Sequence, residues 1–207
     1  MAAAVIWLHG LGDSSDSWED IDTVKLKVAN TRVVHPQAPV APVTVNNGEE
    51  DTSWFDLRTW PVGLKEPENP AGLEDSVKKI HAEIEALEHA GVPTEKIVVG
   101  GFSQGGVVSL YAALSYPKRL GGIVSISSWT WNSLSATVDP INKDLPICFC
   151  YGKSDDVVLP ELAANSAEIV RSIVGGNVTI VEATRSGHFP CPAEMQAAMT
   201  FILERIS

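Results

Sequence analysis

Six short apolar runs punctuate the chain: Ala4–Leu8, Thr31–His35, Lys96–Gly101, Gly122–Ser127, Pro146–Tyr151 and Val178–Glu182. Most are continuous rather than alternating, which predicts strands buried on both faces of a parallel sheet. Helical patterns fill the gaps. Glu74–His89 sets Val77, Ile80, Ile84 and Leu87 at three- and four-residue spacing, one apolar stripe on a helix. Gly105–Tyr116 forms a second helical pattern. Pro160–Val174 and Pro192–Ile206 each open with proline in the first turn, where a missing N–H does no harm. The alternation predicts the α/β class, a mostly parallel, doubly wound sheet with helices on both faces. In such sheets function gathers on the loops beyond the C-terminal strand ends.

Two stretches break the alternation. Residues 45–72 carry no convincing period and read as a long loop insertion bearing Trp54, Phe55 and Trp60; structureless loops above about 12–15 residues are uncommon and often functional. Residues 128–145 form a second loop with Trp129 and Trp131. There is no repeat and no linker-like shift in composition, so residues 1–207 are expected to form a single domain. Five of the six tryptophans (Trp18, Trp54, Trp60, Trp129 and Trp131) fall in these loops or beside strand ends. Gathered above the sheet they would line an apolar groove; each could equally seal its loop onto the core.

Composition narrows the function classes. Hydrophobic residues make up 44 % and charged residues 20 %, enough apolar material for a sizeable core. A net charge of −11 disfavours phosphate backbones and anionic headgroups, so no nucleic-acid partner is expected. The three cysteines are odd in number; Cys148 and Cys150 fall on one face of a strand and read as buried small hydrophobes. No metal-ligand cluster is visible, and neither a cofactor nor a metal is called for. The opening Met-Ala-Ala-Ala-Val-Ile-Trp-Leu lacks a basic region and a cleavage pattern, and no apolar run approaches the roughly 18 residues of a membrane span, so a cytoplasmic protein without stable membrane insertion is expected. Oligomeric state is not legible.

The strongest chemical signal is Gly100-Gly101-Phe102-Ser103-Gln104-Gly105-Gly106, directly after the run Ile97-Val98-Val99 and before a helical pattern. Gly-x-Ser-x-Gly between strand and helix is the signature of a sharp nucleophile turn, with a strained serine whose Oγ projects above the sheet. Side chains two residues either side of that serine would collide, and Gly101 and Gly105 remove them. Ser103 is therefore the candidate nucleophile of an α/β-hydrolase fold.

A serine hydroxyl needs a general base. His81 and His89 sit on an amphipathic helix and read as solvated; His35 ends a strand before proline and reads as structural; His9 lies in Leu8-His9-Gly10-Leu11-Gly12-Asp13, a candidate oxyanion loop. His188, in Ser186-Gly187-His188-Phe189-Pro190, follows the last strand, as the Ser–acid–His order of this fold requires. The acid belongs in the loop after Pro146–Tyr151, where Asp155 and Asp156 compete. Acyl transfer also needs two backbone N–H donors for the oxyanion, assigned to Leu11 and Gln104; losing one such donor costs about 3–4 kcal/mol of transition-state stabilisation.

With these motifs placed, the chain resembles the acyl-protein thioesterase / lysophospholipase-like carboxylesterase family. The resemblance covers nearly the whole chain and rests on Leu8–Asp13, on Ala38-Pro39 with Pro42-Val43-Thr44, on Ser53-Trp54-Phe55-Asp56, on Gly100–Gly106 and on Gly187-His188. It implies a catalytic triad of Ser103, Asp155 and His188 and oxyanion amides at Leu11 and Gln104. Asp155 keeps the family's offset from Gly152, while Asp156 stands where the family has proline. The resemblance implies hydrolysis of thioesters or oxygen esters of medium to long acyl chains, on acylated proteins or small acyl esters. Trp54, in the family's Trp-Phe-Asp motif, and Trp129 are the expected substrate contacts. Two alternatives remain: a short-chain carboxylesterase or deacetylase with the same triad, and a hydrolase-fold protein that binds without turnover.

Overall fold

The computed structural model describes residues 2–207. Its centre is a six-stranded, all-parallel sheet of β1 (Ala3–Leu8), β2 (Thr31–Val34), β5 (Ile97–Phe102), β6 (Gly122–Ile126), β7 (Ile147–Gly152) and β8 (Val178–Ala183), ordered β2-β1-β5-β6-β7-β8. The six predicted strands all appear, shifted by a residue or two. β1, β5, β6 and β7 are buried along their whole length, which explains why they read as unbroken apolar runs. β2 and β8 stand at the sheet edges and are only partly covered.

Successive side chains of each strand enter opposite cores. Ala4, Ile6 and Leu8 join Ile97 and Val99 in one core, beneath α2 (Leu73–His89), α3 (Gln104–Ser115) and α5 (Pro160–Val174). Ala3, Val5 and Trp7 join Val98 and Val124 in the other, beneath α1 (Val24–Lys27) and α6 (Pro192–Ile206). Both layers close on one sheet. The strand order reverses between β1 and β5, so the loops leaving those two strands open outward over a topological switch point, where ligands bind in this architecture.

Residues 45–72 are less irregular than the sequence predicts. β3 (Val40–Pro42) and β4 (Glu50–Thr52) pair antiparallel as a small separate sheet. Three-residue strands carrying Pro42, Glu50 and Asp51 present no alternation long enough to be seen in the sequence. The second aromatic loop likewise contains one short helix, α4 (Leu134–Thr137). His81 also departs from its solvated reading: its Nε2–H donates to the Ala112 carbonyl at 2.8 Å and its ring packs edge-on against Tyr116. His89 is exposed, as expected.

Candidate active site

Ser103 sits between the end of β5 and the start of α3 at φ 54°, ψ −122°. That backbone is strained for a residue with a Cβ, and its surroundings hold it there. The Ser103 N–H donates to Ile126 O at 2.9 Å, while Gly106 N–H returns to Ser103 O at 3.0 Å. The flanking glycines are obligatory. A Cβ on Gly105 would overlap the Leu8 carbonyl and lie 2.6 Å from His9 O; one on Gly101 would lie 2.5 Å from the Gly105 carbonyl carbon and 2.8 Å from Leu8 O. The absence of these two side chains lets the ends of β1 and β5 touch through backbone.

His188 comes from the loop between β8 and α6. Its Nδ1–H donates to Asp155 Oδ2 at 2.9 Å, and its Nε2 accepts from Ser103 Oγ at 3.2 Å. The loop is held by Ser154 N–H to Ser186 O at 3.0 Å and by Ser186 Oγ–H to the buried Glu194 carboxylate at 2.5 Å. The competition between the two aspartates resolves geometrically. Asp155 is 4 % exposed, and its Oδ1 accepts the N–H groups of Val157 and Val158, both at 2.9 Å; Asp156 is exposed, and the histidine's Nδ1–H goes to Asp155. A carboxylate held on one oxygen by two amides presents the other, fixed, to the imidazole, which can then take a proton from a hydroxyl and return it to a leaving group.

The expected oxyanion donors lie beside Ser103. Residues 10–13 form a turn closed by Asp13 N–H to Gly10 O, with Leu11 and Gly12 at its centre. Gly12 adopts φ 73°, a conformation open to glycine at that turn position. A Cβ built on Gly10 would lie 3.5 Å from Ser103 Cβ, so the turn runs directly against the serine. Gln104 is the first residue of α3, where its N–H has no partner inside the helix. Among the described residues, neither the Leu11 nor the Gln104 N–H donates to another backbone group.

His9 belongs to the scaffold of this loop. It is 1 % exposed; its Nδ1–H donates to Gly10 O at 2.7 Å, and its Nε2 accepts from Ala38 N–H at 3.1 Å and from the Gln37 amide at 3.1 Å. Burial pulls its pKa below the ordinary value of 6.5, and the bond to Gly10 and the charge of Asp13 offset this only in part. Because Nε2 accepts the Ala38 N–H, the ring carries its single proton on Nδ1 and is the neutral tautomer.

A cavity of about 700 Å³ opens over Ser103 and His188. Its lining is mostly apolar, with Trp18, Leu57, Trp60, Val62, Trp129 and Phe189 among the residues, and with Asp13, Ser17 and Asp20 at its polar edge. Trp129 thus stands where substrate contact was expected. Trp54 does not: it lies outside this lining, and its indole N–H donates to His9 O at 2.8 Å. Its place in the loop serves the backbone, and Trp18 and Trp60 line the cavity instead. The sequence reading also missed Glu66, a nearly buried carboxylate that accepts from Arg58 N–H, Thr59 N–H and Thr59 Oγ–H and so shapes the wall carrying Trp60. Nothing in the sequence marks it, since it is one of several charged residues in the same insertion.

Two outcomes test this geometry. Asp155→Asn should lower kcat/KM by about 10³–10⁴-fold in steady-state ester hydrolysis, because it offers the imidazole the wrong tautomer, whereas Asp156→Asn should leave it within about twofold. The second concerns His9. Its pKa is depressed in the native state, so the unfolded chain binds the proton more readily; the stability it confers is complete above pH 6.5 and is lost as the pH falls through the lower native value. Urea unfolding from pH 8 to pH 5 should show this fall, and His9→Asn should flatten it.

Comparison with known proteins places the chain in a family. The model of the phospholipase/carboxylesterase family matches residues 1–206. The chain is 38 % identical over 168 residues to acyl-protein thioesterase 1 of Schizosaccharomyces pombe, covering 80 % of this chain and 74 % of that protein. It is 34 % identical over 218 residues to acyl-protein thioesterase 1 of Mycosarcoma maydis, covering 97 % and 90 %. Among solved structures it superposes on Arabidopsis thaliana SOBER1 with a TM-score of 0.90 at 30 % identity over the full length of both chains, and on Zea mays acyl-protein thioesterase 2 with a TM-score of 0.84 at 27 % identity, covering 100 % and 94 %. The fold is that of the α/β-hydrolases, and the chain belongs to the phospholipase/carboxylesterase family.

Proposed function

We propose that this protein is a serine hydrolase that cleaves carboxylic esters or thioesters of medium to long acyl chains through an acyl-enzyme on Ser103. The observation that carries the reading is the continuous relay from Ser103 Oγ through His188 to Asp155, at 3.2 and 2.9 Å, on the floor of an apolar cavity. Ser103 Oγ attacks the acyl carbonyl while His188 Nε2 takes its proton, and the oxyanion that forms is received by the N–H groups of Leu11 and Gln104. His188 then hands the proton to the departing thiol or alcohol. Water, deprotonated by the same nitrogen, attacks the acyl-enzyme and frees the serine. Asp155 fixes the ring through Nδ1–H and stabilises the imidazolium.

The acyl chain lies against Leu57, Trp60, Val62 and Trp129, where each methylene removed from water contributes about 0.8 kcal/mol. The curated relatives named as acyl-protein thioesterases support an acylated protein or an acyl ester as substrate. Among the described residues no helix is long and apolar enough to cross a membrane. The free thiols of Cys148, Cys150 and Cys191 suit the reducing cytoplasm, where we place the protein. All of the chain works as one catalytic unit, since the serine, acid and histidine loops leave a single sheet.

Ser103→Ala should abolish turnover of p-nitrophenyl esters while the circular dichroism spectrum and melting temperature stay those of the wild type. Across an acetyl-to-decanoyl series, the wild-type kcat/KM should rise with chain length before levelling. An alanine variant at wild-type rate would end the assignment, and a sharp optimum at acetyl would replace it with a short-chain esterase.

A further inference from the structure

Both proposed oxyanion donors are backbone groups, and they sit on different parts of the chain. Leu11 belongs to the turn after β1 and Gln104 to the first turn of α3. Their separation decides whether both can reach one oxygen, and a misplacement of about 1 Å in such a site costs on the order of 10²-fold in rate. One short segment, Thr52–Phe55, is bonded to the turn that carries the first and to the side chain of the second.

Toward the first donor, Thr52 clasps the turn at the two residues that follow Leu11. Gly12 N–H donates to Thr52 O at 2.9 Å, and Thr52 Oγ–H donates to Asp13 O at 2.7 Å. Two residues on, the Trp54 indole N–H donates to His9 O at 2.8 Å, on the other flank of the same turn. Toward the second donor, the bonds run to the side chain of Gln104, which is wholly buried. Its Oε1 accepts Trp54 N–H at 3.1 Å, and its Nε2–H donates to Phe55 O at 2.8 Å and to Ser53 Oγ at 3.2 Å. The amide thus pairs with the segment as a neighbouring strand would. The segment is itself anchored by Ser53 N–H to Pro39 O at 2.9 Å and by Ser76 Oγ–H to Trp54 O.

We infer that Thr52–Phe55 is the spacer of the oxyanion site: Thr52 and Trp54 are positioning residues that fix the Leu11 N–H relative to the Gln104 N–H without touching substrate. The inference rests on the proposed role of those two amides. It also gives the Gln104 side chain a task distinct from that of its backbone. A spacer acts where charge develops, so its loss lowers kcat and leaves KM and ground-state binding in place.

The test uses Thr52→Val, which removes the hydroxyl at nearly constant volume, Thr52→Ser, which restores it, and Trp54→Phe, which keeps an aromatic ring without the N–H. With p-nitrophenyl butyrate, Thr52→Val and Trp54→Phe should each lower kcat on the order of tenfold at unchanged KM, a fraction of the roughly 10²–10³-fold that follows loss of a whole donor. Affinity for an acyl trifluoromethyl ketone, whose hemiketal on the serine carries the oxyanion, should fall by the same factor, and Thr52→Ser should recover both. Thr52 is only part-buried, so the Val/Ser pair carries the test even if Trp54→Phe folds poorly. Wild-type kcat in Thr52→Val, a kcat loss that Thr52→Ser does not recover, or a kcat loss with unchanged ketone affinity would each overturn the spacer. Ser103→Ala assayed alongside separates the failures: activity there sinks the hydrolase assignment itself, whereas an inactive Ser103→Ala beside fully active Thr52→Val sinks only the spacer.

Discussion

At the centre of the sheet the C-terminal end of β1 and the turn after β5 meet with nothing but backbone between them. A Cβ on Gly105 would overlap Leu8 O, and one on Gly101 would crowd Gly105 itself. Interiors pack at close to crystalline density, so this contact admits no tolerance of even one methyl. It holds Ser103 at positive φ, aims the serine above the sheet and brings the Gly10–Asp13 turn against it. The switch point between β1 and β5 supplies the opening, and the two glycines make it shallow enough for a serine oxygen to stand at its floor.

Around that contact the polar groups form two sets of supports. One runs through His188 and Asp155 into the Val157 and Val158 amides. The cavity wall is stitched to it, because Val62 N–H donates to Val157 O at 2.7 Å and Leu159 N–H to Val62 O at 2.9 Å. The surface that would hold an acyl chain and the loop that holds the acid are therefore one hydrogen-bonded unit. The other set runs from neutral His9 through Trp54 and Thr52 to the Gln104 side chain. Its members are bonded to backbone and, Thr52 apart, fully buried, which suits groups that must stay still while charge appears nearby.

Much of the frame was legible in the sequence because burial on both faces writes a strand as an unbroken apolar run, as in Ile97-Val98-Val99 and Ile147–Tyr151. Ser103 and His188 were legible because glycine spacing and chain order are local or ordinal signals. The choice of Asp155 over Asp156 lay in which carboxylate folds inward onto two amides, and adjacent identical residues carry no mark of that. β3 and β4 escaped because three-residue strands have no period. Trp54 was misread for a related reason: an indole in a loop advertises its ring, while here its N–H and its buried position are what the fold uses. Glu66 acts by folding back on Arg58 and Thr59 of its own loop, and the side chain of Gln104 through a segment about 50 residues away; residue type alone announces neither.

The central claim is that one serine is made nucleophilic by the relay behind it. The most direct measurement is reaction of the native protein with a fluorophosphonate, followed by peptide mass spectrometry. A single stoichiometric adduct on the peptide carrying Ser103 is expected, formed far more slowly when His188 is replaced by alanine. An adduct on a different serine, or none under conditions that label another serine esterase to completion, would contradict it.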